Sequence, residues 1–274
     1  MKAVNANPSG DRAGHAYWDD GWKSAPPVQI VDPSGPGRWN YPNRQLEKLI
    51  RQWLGAPRPA SRLLELGCAR SIWLPYFAQR HGYAITGIDY SDTGCEQTRQ
   101  MLRLVGVRGE VVRADFFAPP AELLGTFEAV FSCGVAEHFD DTAACISAFA
   151  AFLASGGRMV TVIPNVNGVP GFIQKRINKP VYDKHVPLSA AELESAHRAA
   201  GLVVEACGYC VSSNFGVLNL IGLPSEGLGF RAKRKLLDYL CRASLLGWYV
   251  DEHVAPLPAT ELLGAYVYCV ARRA

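Results

Sequence analysis

The sequence predicts an α/β fold, a mostly parallel sheet with helices on both faces, and two observations carry that expectation. Strand-like apolar runs near residues 62–66, 84–88, 110–113, 128–132 and 158–163 alternate with helical stretches near 72–81, 92–105 and 142–154. Such alternation is the pattern of a parallel sheet covered on both sides. The first run, LLELGCARS from Leu63 to Ser71, breaks at Gly67 and passes through Arg70 and Ser71 into IWLPYFAQRHG. A buried strand entering a tight small-residue turn and then a helix is how these folds bring backbone N–H groups against a nucleotide.

Taken in order, residues 1–14 are polar and rich in Gly, Asn and Pro, and are expected to be a disordered tail. Residues 15–60 form an expected N-terminal helical arm or lid. HAYWDDGW concentrates Tyr17, Trp18 and Trp22, and after a Pro/Gly-rich stretch Leu46, Leu49, Ile50, Trp53 and Leu54 recur at helical spacing. The main body is expected over residues 61–274. Gly156-Gly157 turns a helix into a strand, and 165–187 is a long Pro/Gly-punctuated loop with a short helix in GFIQKRIN. LSAAELESAHRAAG then starts a helix cleanly, with Ser189 as cap, Glu192 three residues on and Gly201 as stop. VVEACGY reads as a sixth strand and AYVYCVA as a seventh. Residues 211–263 between them are long for a connection, usually about 2–6 residues. That insertion carries a helical run with Arg231, Lys233, Arg234 and Lys235, and is expected to be a cap over the active site or the face of a homodimer.

The acids at the strand ends indicate which nucleotide is bound. Asp89 closes YAITGIDYS 22 residues beyond Gly67, a spacing suited to a carboxylate that accepts ribose hydroxyls. A dinucleotide turn would place glycines first, third and sixth, where this chain has Gly67, Ala69 and Ile72. A further strand ends in Asp115, and a fourth gives way to GVAEHF.

The set ELGCARS, GIDYS, RADFF and FSCGVAEHFDD resembles the class I S-adenosylmethionine-dependent methyltransferases, over roughly Leu63 to Cys210 and the last strand. The family's turn reads E/D-x-G-x-G-x-G; Glu65 and Gly67 match it, while Ala69 and Ser71 replace the later glycines with small residues. The resemblance implies a Rossmann-like seven-stranded sheet whose last two strands pair at one edge. It implies S-adenosyl-L-methionine as cofactor and S-adenosyl-L-homocysteine as product. Gly67, Cys68 and Ala69 would line the methionine end, with Glu65 beneath supporting the turn or the ammonium. Asp89 would take the ribose, Tyr90 the adenine face, Asp115 the adenine amino group with Phe116 and Phe117 beside the ring, and Cys133 and Gly134 would contact the methionine backbone. Around the acceptor, Trp18, Trp22, Tyr182 and Glu137 are expected.

His185, with Asp183 to orient it, is the first choice for a general base, and His138 the second, because imidazole titrates near neutral pH. His15, His81, His197 and His253 are expected on tail, helix or loop surface. No metal is expected: Glu137, His138, Asp140 and Asp141 lie close in sequence and could take Mg²⁺, but they do not follow the carboxylate pattern of metal-dependent catechol enzymes. Cys207-Gly-Tyr-Cys210 is a lone pair without further zinc ligands.

A net charge of +3 gives no argument for nucleic acid or an anionic membrane. No basic groove with interleaved aromatics stands out, nowhere do about 18 apolar residues run together, and the start lacks an apolar core. The eight cysteines then read as reduced thiols of a cytoplasmic protein. The expected activity is transfer of a methyl group to an oxygen of a small-molecule, secondary-metabolite acceptor. The chain looks like bacterial antibiotic-tailoring methyltransferases, those of the mitomycin pathway among them. A small-molecule N-methyltransferase, an S-adenosylmethionine-binding protein without turnover and, third, a nicotinamide oxidoreductase are the alternatives.

Overall fold

In the computed structural model, which describes residues 10–274, seven strands form one sheet in the order β3-β2-β1-β4-β5-β7-β6. These are β1 (Arg62–Leu66), β2 (Ala84–Asp89), β3 (Glu110–Arg113), β4 (Phe127–Cys133), β5 (Leu153–Pro164), β6 (Val203–Cys210) and β7 (Tyr266–Arg272). The first five run parallel, and β7 is antiparallel to both β5 and β6. The helices are α1 (His15–Ser24), α2 (Tyr41–Leu54), α3 (Trp73–Tyr76), α4 (Asp92–Leu104), α5 (Thr142–Ala150), α6 (Val169–Ile177), α7 (Lys179–Tyr182), α8 (Ala190–Ala199) and α9 (Leu228–His253). The seven expected strands are all present, but β5 begins at Leu153, within the stretch expected to be helical, so Gly156-Gly157 lies inside the strand and does not turn a helix into it; α5 has already ended at Ala150. The stretch expected to be helical near 72–81 is α3 followed by a wide π-type turn, Phe77–His81.

Two cores, one on each face, follow from the two-residue period of strands. In β1, Leu64 and Leu66 enter one core while Leu63 enters the other; in β4, Val130 faces one way and Ala129 and Phe131 the other, and an irregularity in register between Phe127 and Ala129 breaks the alternation and puts Phe127 on the side of Val130. Helix α8 begins with the expected capping box between Ser189 and Glu192. Strand order reverses between β1 and β4, and a crevice opens beyond their C-terminal ends, where open α/β sheets bind ligands.

Some expectations are corrected. Residues 1–9 of the predicted tail lie outside the described residues, but 10–14 are held in place: Asp11 bridges to Phe139, and Arg12 donates to Asp140 (2.7 Å) and to the His185 carbonyl (2.6 Å). A polar segment gains order here because the body supplies fixed partners. In the insertion, α9 docks on α2 through Trp248 stacked on Tyr41, and Arg44 pairs with Glu252 at 2.6 Å. Residues 217–219, ahead of α9, reach the crevice side. The lone Cys207/Cys210 pair lies along β6, and Cys207 sits opposite Cys269 of β7.

His197, expected on a surface, is fully buried. Its Nδ1–H donates to the Leu193 carbonyl (2.8 Å), which leaves Nε2 to accept from the Thr161 hydroxyl (3.0 Å). Burial pushes its pKa down to about 4. Between that value and about 6.5 the unfolded chain binds a proton that the folded one refuses, so this contribution is complete above pH 6.5 and is lost as the pH falls toward 4. His197→Gln is expected to flatten the stability–pH curve over this window by about 3 kcal/mol, read by denaturant titration at several pH values. Parallel curves for the two proteins would refute the assignment.

Candidate functional site: two cavities and a polar wall

The turn after β1 is built by side chains on either side of it. Ser71 donates to buried Glu65 (2.5 Å) and accepts from the Trp73 and Leu74 N–H groups, so one hydroxyl starts α3 and anchors the turn to the strand. Burial raises the Glu65 carboxyl to about 8. Gly67 has φ +71°, and a Cβ there would meet Val135 Cγ2 at 2.3 Å. The Cys68 thiol is buried under Gly87, so Cys68 has only backbone to offer a ligand.

Across the crevice, Asp89 accepts from the Ala69 N–H (3.0 Å) and the Ser91 N–H (2.8 Å), and burial raises its pKa despite those donors. Tyr90 donates to Asp11 (3.1 Å) with the His15 ring 5.4 Å away, so His15, expected to be a bystander, flanks the cleft. Gly67, Ala69, Asp89, Tyr90, Phe116 and Gly134 line one cleft of about 500 Å³ including its mouth. Helix α1 closes its outer side. Asp19 accepts from the Ser91 hydroxyl (2.8 Å) and the Thr93 N–H (3.0 Å), tying α1 to the start of α4. Hydrogen bonds from Lys23, Thr93 and Ser91 hold the Asp19 carboxyl well below the usual range.

Trp18 and Trp22, expected around the acceptor, are stacked at 5.7 Å and line this same cleft. Asp115 does not reach the cleft; it is exposed and accepts the Phe117 N–H in a tight local turn. Phe117 packs beside Phe116 without lining the cleft, and Cys133 does not line it either but packs against the core that holds Phe131 and Val162.

A second cavity of about 330 Å³ lies beyond, lined by Asn165, Gln174, Val181, His185 and Leu218 among others. Between the two stands a polar wall. His138 faces the first cavity and His185 the second, their ring centres 4.7 Å apart, and Trp18 meets His138 edge-on at 5.1 Å. Behind them Glu137 is buried, with Oε1 3.6 Å from His138 Nε2 and Oε2 without any hydrogen-bond partner. Burial lifts Glu137 to about 8 and lowers His138 to about 3, with the neighbouring His185 adding to the latter; burial also lowers His185.

The predicted Asp183–His185 pair does not form. Asp183 bonds Lys179 (2.5 Å) one helical turn away, while His185 Nδ1 donates to the Val181 carbonyl (2.8 Å). Tyr182 lines neither cavity, its ring lying 5.2 Å from the Lys175 ammonium. Asp11, Val135 and Phe139 complete the first cleft and were not anticipated. Val135 and Phe139 adjoin the GVAEHF motif, which could have flagged them; Asp11 lies in a stretch whose composition carries no such signal.

An open α/β sheet with a glycine turn, an acid at the next strand end and a cleft at the strand-order reversal defines a nucleotide-binding enzyme fold. Residues 38–206 match the methyltransferase domain, and the chain belongs to that family. The resemblance to class I methyltransferases read from the motifs is thereby borne out. Of curated proteins, an S-adenosyl-L-methionine-dependent Diels-Alderase, iccD, from Talaromyces variabilis is 28% identical over 135 residues. That match covers 46% of each chain, so it spans about half the length of the relative. Of solved structures, geranyl diphosphate C-methyltransferase from Streptomyces coelicolor A3(2), in complex with Mg²⁺, geranyl diphosphate and S-adenosyl-L-homocysteine, superposes with a TM-score of 0.59 at 18% identity, covering 98% of this chain and 99% of that one. The [4+2]-cyclase SpnF gives 0.60 at 15% identity over 96% of each. At these identities the likeness is one of fold, a seven-stranded sheet of the Rossmann-like type.

Gly67→Ala should cost about 1–3 kcal/mol through the positive φ and the clash with Val135. Thermal or denaturant unfolding checks this, and an unchanged midpoint would contradict the close approach.

Proposed function

We propose that the chain binds S-adenosylmethionine in the first cleft and transfers its methyl group to an oxygen of a small-molecule acceptor held in the second cavity. The observation that carries this reading is the pairing of the Gly67–Asp89 cleft with a separate cavity across the His138/His185 wall. In it, backbone at Gly67, Ala69 and Gly134 contacts the methionine portion, Asp89 accepts the ribose hydroxyls through lone pairs left over from Ala69 and Ser91, and Tyr90 and Phe116 flank the adenine. Trp18 and Trp22 exclude water from the cofactor side.

The sulfonium is already activated, so the protein's main task is alignment, which alone can supply about 7–11 kcal/mol. The acceptor oxygen attacks the methyl carbon with a lone pair; the C–O bond forms as the C–S bond breaks, and sulfur keeps the electron pair as a neutral thioether. The hydroxyl proton goes to His185 Nε2, the nitrogen left free by the Val181 contact, and from there to solvent. His138 lies behind, in reach of the same proton. An amine acceptor would need no such base. Oxygen is favoured because two imidazole lone pairs converge at the wall. The acceptor class proposed is a secondary metabolite, in line with the likeness of the chain to tailoring enzymes.

A second reading is favoured by the similarity to a Diels-Alderase and to a [4+2]-cyclase: a protein that keeps S-adenosylmethionine bound and shapes a cyclisation in the second cavity without consuming the cofactor. Formation of S-adenosylhomocysteine with acceptor present separates the two.

Calorimetry is expected to show S-adenosylhomocysteine binding and no NADH binding, with Asp89→Ala weakening the former about 10- to 100-fold, the worth of one or two hydrogen bonds to a charged group. Absence of S-adenosylhomocysteine binding would overturn the reading. For an oxygen acceptor, His185→Gln is expected to lower kcat by about 10²- to 10⁴-fold with cofactor affinity unchanged. An unchanged kcat would remove His185 from proton transfer.

A further inference from the structure

Glu137, His138 and His185 come from two segments nearly fifty residues apart, yet one donor atom from each lies within 4.8 Å of the others. Both imidazoles are oriented alike. His138 Nδ1–H donates to the Lys184 carbonyl (2.8 Å) and His185 Nδ1–H to the Val181 carbonyl (2.8 Å), so each presents Nε2 as a free lone pair. Backbone carbonyls that fix a histidine tautomer in this way are the usual outer support of a metal-ligating imidazole. The Glu137 carboxyl is buried to 1% exposure, and Oε2 has no partner. An unpaired buried acceptor costs about 1–3 kcal/mol. The neighbouring cations are engaged elsewhere: Arg12 with Asp140 and the His185 carbonyl, Lys184 over the Tyr17 ring at 4.2 Å.

We propose that Glu137, His138 and His185 form a binding site for a divalent first-row transition ion, with Zn²⁺ or Co²⁺ as the fitting type. Two nitrogens and one carboxylate oxygen suit such ions, whereas Mg²⁺ takes oxygen ligands and octahedral geometry. Bond lengths of about 2.0–2.2 Å place bound ligand atoms about 3–4 Å apart, so side chains need move only on the order of 1 Å to close on the ion. Three protein ligands leave a coordination place open, as in catalytic rather than structural sites, and the wall position turns that place toward the cavities.

Ion uptake does not depend on the methyl-transfer reading; its chemical consequence does. With the ion held, an acceptor hydroxyl entering from the second cavity takes the open place and its pKa falls. The proton then leaves to water, His185, the base of the ion-free protein, serves as a ligand in this ion-bound form, and the oxygen lone pair attacks the methyl carbon as before.

The test uses the full chain, stripped with a chelator and titrated with Co²⁺ alone, reading the visible absorption of the bound ion, with Zn²⁺ added as competitor. The expected result is one Co²⁺ per chain in a nitrogen/oxygen environment, displaced by Zn²⁺ and not by Mg²⁺. Glu137→Gln and His185→Ala should each weaken binding by more than about 100-fold, beyond the 10- to 100-fold of outer-support changes, while His253→Ala, at an exposed position, leaves it unchanged. Folding of each variant is checked by circular dichroism; if buried Glu137→Gln fails to fold, half-buried His185→Ala carries the comparison. No absorption band in wild type, a thiolate-to-cobalt band, or a band unchanged in the folded variants overturns the proposal. S-adenosylhomocysteine affinity, measured separately without metal, reports on the methyl-transfer reading alone.

Discussion

One carboxylate holds the crevice together. Asp89, at the end of β2, accepts the N–H of Ala69 from the turn after β1 and the N–H of Ser91 from its own loop. Ser91 in turn caps α4 by accepting from Gly94 and donates its hydroxyl to Asp19 of α1. The glycine turn, the start of α4 and the covering helix therefore share a single chain of hydrogen bonds. Within a low-dielectric crevice each such bond is stronger than in water, and a missing partner is correspondingly expensive. The negative charge is costly to bury there, which is why the pKa of Asp89 rises. Two N–H donors offset part of that cost at a side chain that lines the cleft.

Most of the fold was legible because strand burial writes itself into sequence. Leu63, Leu64 and Leu66 of β1, or Val160, Val162 and Ile163 of β5, are apolar whichever face they meet, since both faces are covered. That Gly67, Ala69, Asp89, Tyr90, Phe116 and Gly134 gather at one cleft was legible for a related reason: they sit at or just past strand ends, and strand ends can be located from the runs that precede them. Three readings that needed a side-chain direction came out differently. Asp183 is two residues from His185, but its place at the C-terminal cap of α7 turns it toward Lys179 one helical turn back. Asp115 ends its strand as expected, then satisfies its own loop. His197 looks like a solvated helix residue until Thr161 of β5 is seen to lie against it. The order of residues 10–14 is likewise set by partners distant in sequence, Phe139 and Asp140, which no local composition reveals.

The wall between the cavities combines both kinds of information. Glu137 and His138 stand in a 3₁₀ turn directly after β4, where the motif placed them. His185 arrives from a loop whose path depends on α6 and α7, and the Glu137 carbonyl accepts the Val186 N–H at 2.6 Å, pinning that loop to the turn. The same contact that brings His185 to His138 thus uses the backbone of Glu137 and leaves its side chain free.

That division bears on why a carboxyl is kept at a buried place. A structural role would be served as well by glutamine, which carries no charge to desolvate and offers donors as well as an acceptor to its neighbours. Burial raises the carboxyl to about 8, which leaves it holding a proton at neutral pH, and the two neutral imidazoles, with their N–H groups committed to backbone carbonyls, have no donor to give it. The proton alternative leaves Glu137 Oε1 3.6 Å from His138 Nε2, too far for a hydrogen bond. A single ion at the centre of the three satisfies every free lone pair at once, and it does so on the boundary that a reacting methyl group would have to cross.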